Sequence, residues 1–212
     1  MQIKAITIIA TLSVIGLTVH CNIDPEPDRG ATPLVDIDAP AAPVFSGIDV
    51  DRFHNKTFLV VRVVDGDTID IALSLSDPNR TRIRLLGVDT PETVHPRMSV
   101  QHFGPESTRF VTHVCLNRRV EILLDPLSDI RGKYGRLLAF VILDDSSVLN
   151  ERLLTLGLGY AETRYPHMHK ARYKILEQAA HATSTGLWQN VTFEQLPPWI
   201  QRTEPNILNT PD

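Results

Sequence analysis

The chain has 212 residues, of which 42% are hydrophobic, and a formal net charge of -4, enough for one domain of ordinary size with length left for a leader and tails. Residues 1–50 hold two basic and six acidic side chains, so residues 51–212 balance at 19 of each; this excludes a strongly basic protein that coats nucleic acid and confines any phosphate recognition to a local cleft. The only cysteines are Cys21 and Cys115, which excludes a disulfide-stapled scaffold for the domain.

In chain order, Lys4 precedes an uncharged apolar run from Ala5 to Val19, the layout of a secretory signal and shorter than the roughly 20 residues of a membrane span. Cys21 directly behind it resembles the lipid-modified cysteine of bacterial lipoproteins, although His20 stands where that pattern has a small residue. Residues 1–21 are therefore expected to be a signal or lipoprotein-like leader. The protein is expected to be exported, either secreted or held at the envelope, with a lipid at Cys21 as one route of membrane attachment. Residues 22–56, with Pro25, Pro27, Pro33, Pro40 and Pro43 among scattered acids, read as a flexible linker.

The β-branched run Phe58–Val64 and the alternating run Asp67–Leu73 predict a hairpin closed near Asp65-Gly66. Arg82–Val88, Val120–Leu124 and Leu137–Leu143 predict three more strands. Gly104-Pro105-Glu106 opens a helix, with Pro in the first turn, Glu at the positive dipole end, and Phe110, Val111, Val114 and Cys115 on one face. This makes Cys115 a packing residue. Val148–Leu156 and His169–Ala182 predict two further helices, the last with Ala171, Ile175, Leu176, Ala179 and Ala180 inward. Without regular βαβ alternation the class is α+β, with a five-stranded barrel and three helices spanning 57–190. The tail, 191–212, is expected to dock in part through Trp199.

Three stretches carry the chemistry: Asp65-Gly-Asp67-Thr68, Arg84-Leu-Leu-Gly-Val-Asp89-Thr-Pro-Glu92-Thr93 and Gly132-Lys-Tyr-Gly-Arg136. An Asp-Gly turn alone is ordinary hairpin chemistry. The second stretch changes its weight, because Pro91 holds Thr90 extended, turns a carbonyl outward and sets Glu92 at a defined offset from Asp89. Carboxylates and a carbonyl held this way suit Ca²⁺, and guanidinium groups match phosphate oxygens two at a time. Arg84 and Asp89 are separated by an odd step along one predicted strand. For both to reach one site, the strand must bend near Gly87.

The chain resembles the staphylococcal-nuclease-like, or thermonuclease-like, domains. The resemblance rests on those three stretches together with His95-Pro96, Gly104-Pro-Glu-Ser107, Leu149-Asn150-Glu151, Gly157-Leu158 and Gly186-Leu-Trp188, in family order. It implies a five-stranded OB-type barrel, a fold whose face commonly binds oligonucleotides. It further implies that Asp67, Asp89 and the Thr90 carbonyl hold Ca²⁺, that Glu92 orients or activates water, and that Arg84 and Arg136 clamp the phosphate. Lys133, Tyr134 and Tyr165 would contact the nucleotide. Two positions depart from the family pattern: Thr163 replaces the first of two tyrosines, and Gly132 replaces an acidic residue. The expected activity is Ca²⁺-dependent hydrolysis of phosphodiester bonds in DNA and RNA by a monomer. The rival reading is a non-catalytic OB-fold module that binds nucleic acid; such modules typically lose the acids or arginines, which this chain keeps.

Overall fold

The computed structural model describes residue 45 and residues 47–74, 79–93 and 101–208. The expected leader, most of the linker and His95-Pro96 lie outside the described residues.

Seven strands are present among the described residues: β1 (Lys56–Asp65), β2 (Thr68–Ala72), β3 (Arg80–Leu85), β4 (Val88–Asp89), β5 (Arg119–Leu123), β6 (Leu137–Ile142) and β7 (Tyr160–Ala161). Five of them close a barrel in the order β1-β2-β3-β6-β5, with β3 and β6 parallel and the other recorded pairings antiparallel. Strand period explains the division of side chains: in β3, Thr81, Ile83 and Leu85 enter the core while Arg80 and Arg82 face out. Ile69, Ile71, Ile122, Leu137 and Val141 fill the barrel from the neighbouring strands. The architecture is the OB-type α+β barrel that the sequence predicts.

The helices are α1 (Ile48–Phe53), α2 (Gly104–Cys115), α3 (Leu149–Thr155), α4 (Lys170–Ala182) and α5 (Pro198–Thr203), two more than expected. Helix α1 falls in the span read as linker, yet it buries Phe53 in the barrel core, and its Asp49 takes a two-pronged hydrogen bond from Arg131 at 2.6 and 2.9 Å. Helix α2 turns Val111 and Cys115 inward as its pattern predicts. Helix α4 presents the predicted face only in part: Ala180 is buried and Leu176 packs on the core as expected, but Tyr173 and Glu177 are buried too, whereas Ala171, Ile175 and Ala179 are exposed. The reason is polar. Glu177 is drawn inward because its carboxylate accepts the backbone N–H of Ala161 at 2.9 Å and pairs with Lys174 at 2.6 Å.

A second apolar cluster sits beside the barrel core. It joins Tyr160, Ala180, Leu187 and Trp188 to Leu196, Trp199 and Ile200 of the C-terminal segment. The tail is thus packed on the same face as β7.

Candidate active site

The site begins at the β1–β2 turn. A Cβ on Gly66 would lie 2.7 Å from Thr90 Oγ1 and 2.7 Å from Ser107 Cβ, so only glycine lets this turn approach Thr90 so closely. Beside it Asp67, 6% exposed, accepts the Thr90 backbone N–H at 2.9 Å and the Thr90 hydroxyl at 3.2 Å on Oδ2. Its Oδ1 accepts the Thr68 hydroxyl at 2.9 Å. Thr68 stands opposite Arg84 in the β2–β3 register, which sets the guanidinium next to this carboxylate.

The expected strand Arg82–Val88 ends at Leu85. The chain turns at Leu86-Gly87, where Gly87 has φ +76 and a Cβ would come within 2.5 Å of His167 Cε1. The turn is pinned from inside by Asn150, whose amide donates to the Leu86 carbonyl at 2.9 Å while its oxygen accepts Val141 N–H at 3.1 Å. After the turn β4 leaves the barrel and pairs with β7, placing Asp89 opposite Tyr160. This is the bend that the odd step required. Arg84 pairs with both Asp67 and Asp89, the latter at 2.6 Å, and donates to the Val88 carbonyl at 2.8 Å.

Burial pushes the Asp67 carboxyl above the usual aspartate range; Arg84 pulls it back and Asp65 adds to the rise. Burial likewise raises Asp89, with Arg84 opposing and the charge of Asp67 reinforcing the shift. Two desolvated carboxylates that repel each other fit a hard divalent cation, which would relieve both costs at once. Among the described residues no cluster of three or more histidine, cysteine or acidic side chains encloses a metal. The remaining ligands would therefore be a backbone oxygen, water and substrate, a mixture that Ca²⁺ accepts.

An open groove of about 820 Å³ is lined in part by Glu92, Arg136 and Tyr134, with Arg62, Arg80 and Arg82 on the barrel side. Glu92 is held through its backbone, whose N–H donates to Gln101 Oε1 at 2.8 Å and whose carbonyl accepts Gln101 N–H at 2.9 Å. The Gly132–Arg136 turn closes with Gly135 N–H on the Gly132 carbonyl at 2.8 Å and is braced by Arg131 on the Gly135 carbonyl at 2.7 Å. It presents Tyr134, 72% exposed, with the Arg136 guanidinium 5.6 Å and the Lys133 ammonium 4.7 Å from the ring centre. Arg82 is tied to Asp70 at 2.7 Å.

The predicted residues thus fall into two groups. Asp67, Arg84, Asp89 and Thr90 bond to one another or through a shared partner, and Glu92, Tyr134 and Arg136 share the groove. Tyr165 stands apart at 59% exposed, 5.6 Å from the Arg164 guanidinium, and does not line the groove. Sequence reasoning did not foresee that Trp199 Nε1 donates to Asp89 Oδ2 at 2.7 Å, nor that Arg62 borders the groove. The strand alternation of Arg62 was a usable signal; a bond spanning 110 residues left none.

A model of the family described as staphylococcal nuclease homologue matches residues 82–190. A thermonuclease of Staphylococcus hyicus is 32% identical over 147 residues, covering 69% of this chain and 83% of that protein. A thermonuclease of Staphylococcus intermedius is 39% identical over 139 residues, covering 64% and 78%. The endonuclease YncB of Bacillus subtilis is 34% identical over 131 residues, covering 60% and 59%.

Proposed function

Because this chain belongs to the staphylococcal nuclease family, we propose that it is a nuclease that uses Ca²⁺ to hydrolyse phosphodiester bonds in DNA and RNA. The observation that carries this reading is Arg84 bridging the carboxylates of Asp67 and Asp89, on the same chain run whose Arg80, Arg82 and Glu92 line the groove with Arg136. Asp67, Asp89 and the Thr90 carbonyl would hold the cation. Bound there, Ca²⁺ would supply positive charge to offset the charge that builds on the phosphoryl oxygens.

The side chains do the rest. Arg84 has five N–H donors; Nη1 donates to the Val88 carbonyl and Nη2 to Asp89 while its charge pairs with Asp67, so donors remain for a phosphate oxygen. Arg136 approaches from the groove and shares the charge that builds on the non-bridging oxygens. Glu92 orients the attacking water. Lys133 and Tyr134 steady the nucleotide, Tyr134 by stacking, which tolerates any base and serves DNA and RNA alike. Tyr165 contacts the nucleotide from outside the groove.

Incubation of the protein with single-stranded DNA and RNA, in Ca²⁺ and then in excess chelator, tests the reading. Cleavage in Ca²⁺ that stops on chelation is expected; binding without cleavage would establish the OB-module alternative instead. Export through the leader is proposed on the Lys4 to Cys21 pattern, and mass spectrometry of the mature N-terminus should find the leader removed, or a lipid on Cys21.

A further inference from the structure

The family match ends at residue 190, yet the segment beyond it reaches the candidate metal ligands. We propose that this C-terminal segment is a working part of the catalytic centre, with Trp199 as the positioning residue that orients the Asp89 carboxylate toward the cation. The proposal rests on the reading above that Asp89 is a ligand.

The torsion that sets an aspartate carboxylate plane is broad, so the side chain alone does not fix where its oxygens point. At Asp89 the plane is fixed by two donors, one on each oxygen: Arg84 on Oδ1 at 2.6 Å and the Trp199 indole N–H on Oδ2 at 2.7 Å. Each carboxylate oxygen has two acceptor sites, so both keep one for a cation while their direction is set. Outer donors of this kind orient metal ligands, and their loss typically weakens metal affinity by about 10- to 100-fold.

Trp199 is held rigidly. It is 5% exposed and packs in the second apolar cluster with Leu196 and Ile200. The Arg164 guanidinium lies 4.5 Å from the indole and is itself bonded to Glu162 at 2.9 and 3.0 Å. One turn on from Trp199, Glu204 pairs with Lys174, which also holds Glu177, and Glu177 accepts the N–H of Ala161 in β7. Strand β7 is the partner of β4, which carries Asp89. Donor and acceptor are therefore anchored to one frame, and the charge-assisted bond that satisfies the buried indole N–H also fixes the Asp89 carboxylate.

The test is Trp199→Phe in the full chain, which keeps a ring against Arg164 and removes the donor. Calorimetric titration with Ca²⁺ alone, without nucleic acid, should show affinity weakened about tenfold, with circular dichroism in chelator showing the variant still folded at the titration temperature. Equal Ca²⁺ affinity in the two proteins overturns the positioning role and leaves Asp89 as a ligand untouched. Absence of Ca²⁺ binding by the unaltered protein overturns the metal reading and this proposal with it. A second measurement does not depend on the variant folding: the ¹⁵N-detected indole resonance of Trp199 should move as Ca²⁺ saturates the unaltered protein. A resonance that stays fixed while Ca²⁺ binds also overturns the proposal.

Discussion

The two halves of the site are built differently. The acidic half, buried Asp67 and Thr90 with half-buried Arg84 and Asp89, is bonded within itself and mounted where the barrel meets the β4–β7 ribbon. The basic half, Arg136 with Lys133 and Tyr134, stands on the five-residue Gly132–Arg136 turn, where Lys133 and Tyr134 are exposed and Arg136, half-exposed, lies against the Tyr134 ring. A buried charge has to be paired to be tolerated at all, so the acidic half is coupled to the stability of the domain. An exposed charge costs little to keep or remove. Chemistry and folding should therefore be inseparable in the first half and separable in the second.

The sharpest way to break that comparison is to remove one arginine from each half. Arg84→Ala leaves the buried Asp67 and the half-buried Asp89 without their shared counter-charge and should cost about 3–5 kcal/mol of stability as well as activity. Arg136→Ala should lower turnover by about 10²- to 10³-fold with stability changed by no more than about 0.5 kcal/mol. Denaturant unfolding and single-turnover cleavage on both variants give the four numbers needed. If Arg136→Ala unfolds as readily as Arg84→Ala, the division between the halves is wrong.

Next in size is Gly87→Ala. It forces a Cβ against His167 in a backbone with φ +76, a strain of about 1–3 kcal/mol, and it disturbs the turn that carries Asp89. Stability and Ca²⁺ affinity should both fall. An alanine accepted without loss in either would mean that the acidic half does not depend on the bend.

The contrast also explains what could be read from the sequence. The barrel, the α2 face and the bend at Gly87 follow from local pattern: β-branched runs, a proline in the first helical turn and an odd residue step that a straight strand cannot satisfy. The inward face of α4 did not, because a buried Glu177 is set by Ala161 and Lys174, partners that hydrophobic period ignores. The ribbon of β4 and β7, two residues each, was too short to leave a pattern. Asp67, Arg84 and Asp89 were legible as a set through motif spacing. Their link to Trp199 was not, since it depends on how a separate cluster packs.

A smaller effect follows from protonation. Asp67 and Asp89 have raised values in the folded protein, against an ordinary value of 3.8, with burial the leading cause. The stability they contribute to the metal-free domain is fully present below the ordinary value and is lost as pH rises through the raised ones. In the proposed function Ca²⁺ would bind the ionised pair and restore it, so the Ca²⁺-induced rise in Tm should shrink by about half or more between pH 8 and pH 5. Comparing Tm with and without Ca²⁺ at each pH cancels Glu177, which burial also raises but which lies in the α4 network. A Ca²⁺ effect that is flat with pH would mean that the acidic half does not release protons on binding.

The smallest effects belong to the rings around the basic half, and they test whether the groove or the resemblance better locates the nucleotide. Tyr134 borders the groove beside Arg136, whereas Tyr165 stands outside it near Arg164. Base stacking on an aromatic is worth about 1–3 kcal/mol, so Tyr134→Ala should raise KM for single-stranded DNA by roughly 5- to 100-fold with little change in kcat. Tyr165→Ala should raise KM by less, because that ring does not line the groove. Neither change should move the unfolding temperature, since both side chains are exposed. If Tyr165 proves the stronger of the two, the bound strand crosses toward the β7 side of the molecule, and the acidic half is approached from Trp199 and not from the basic turn.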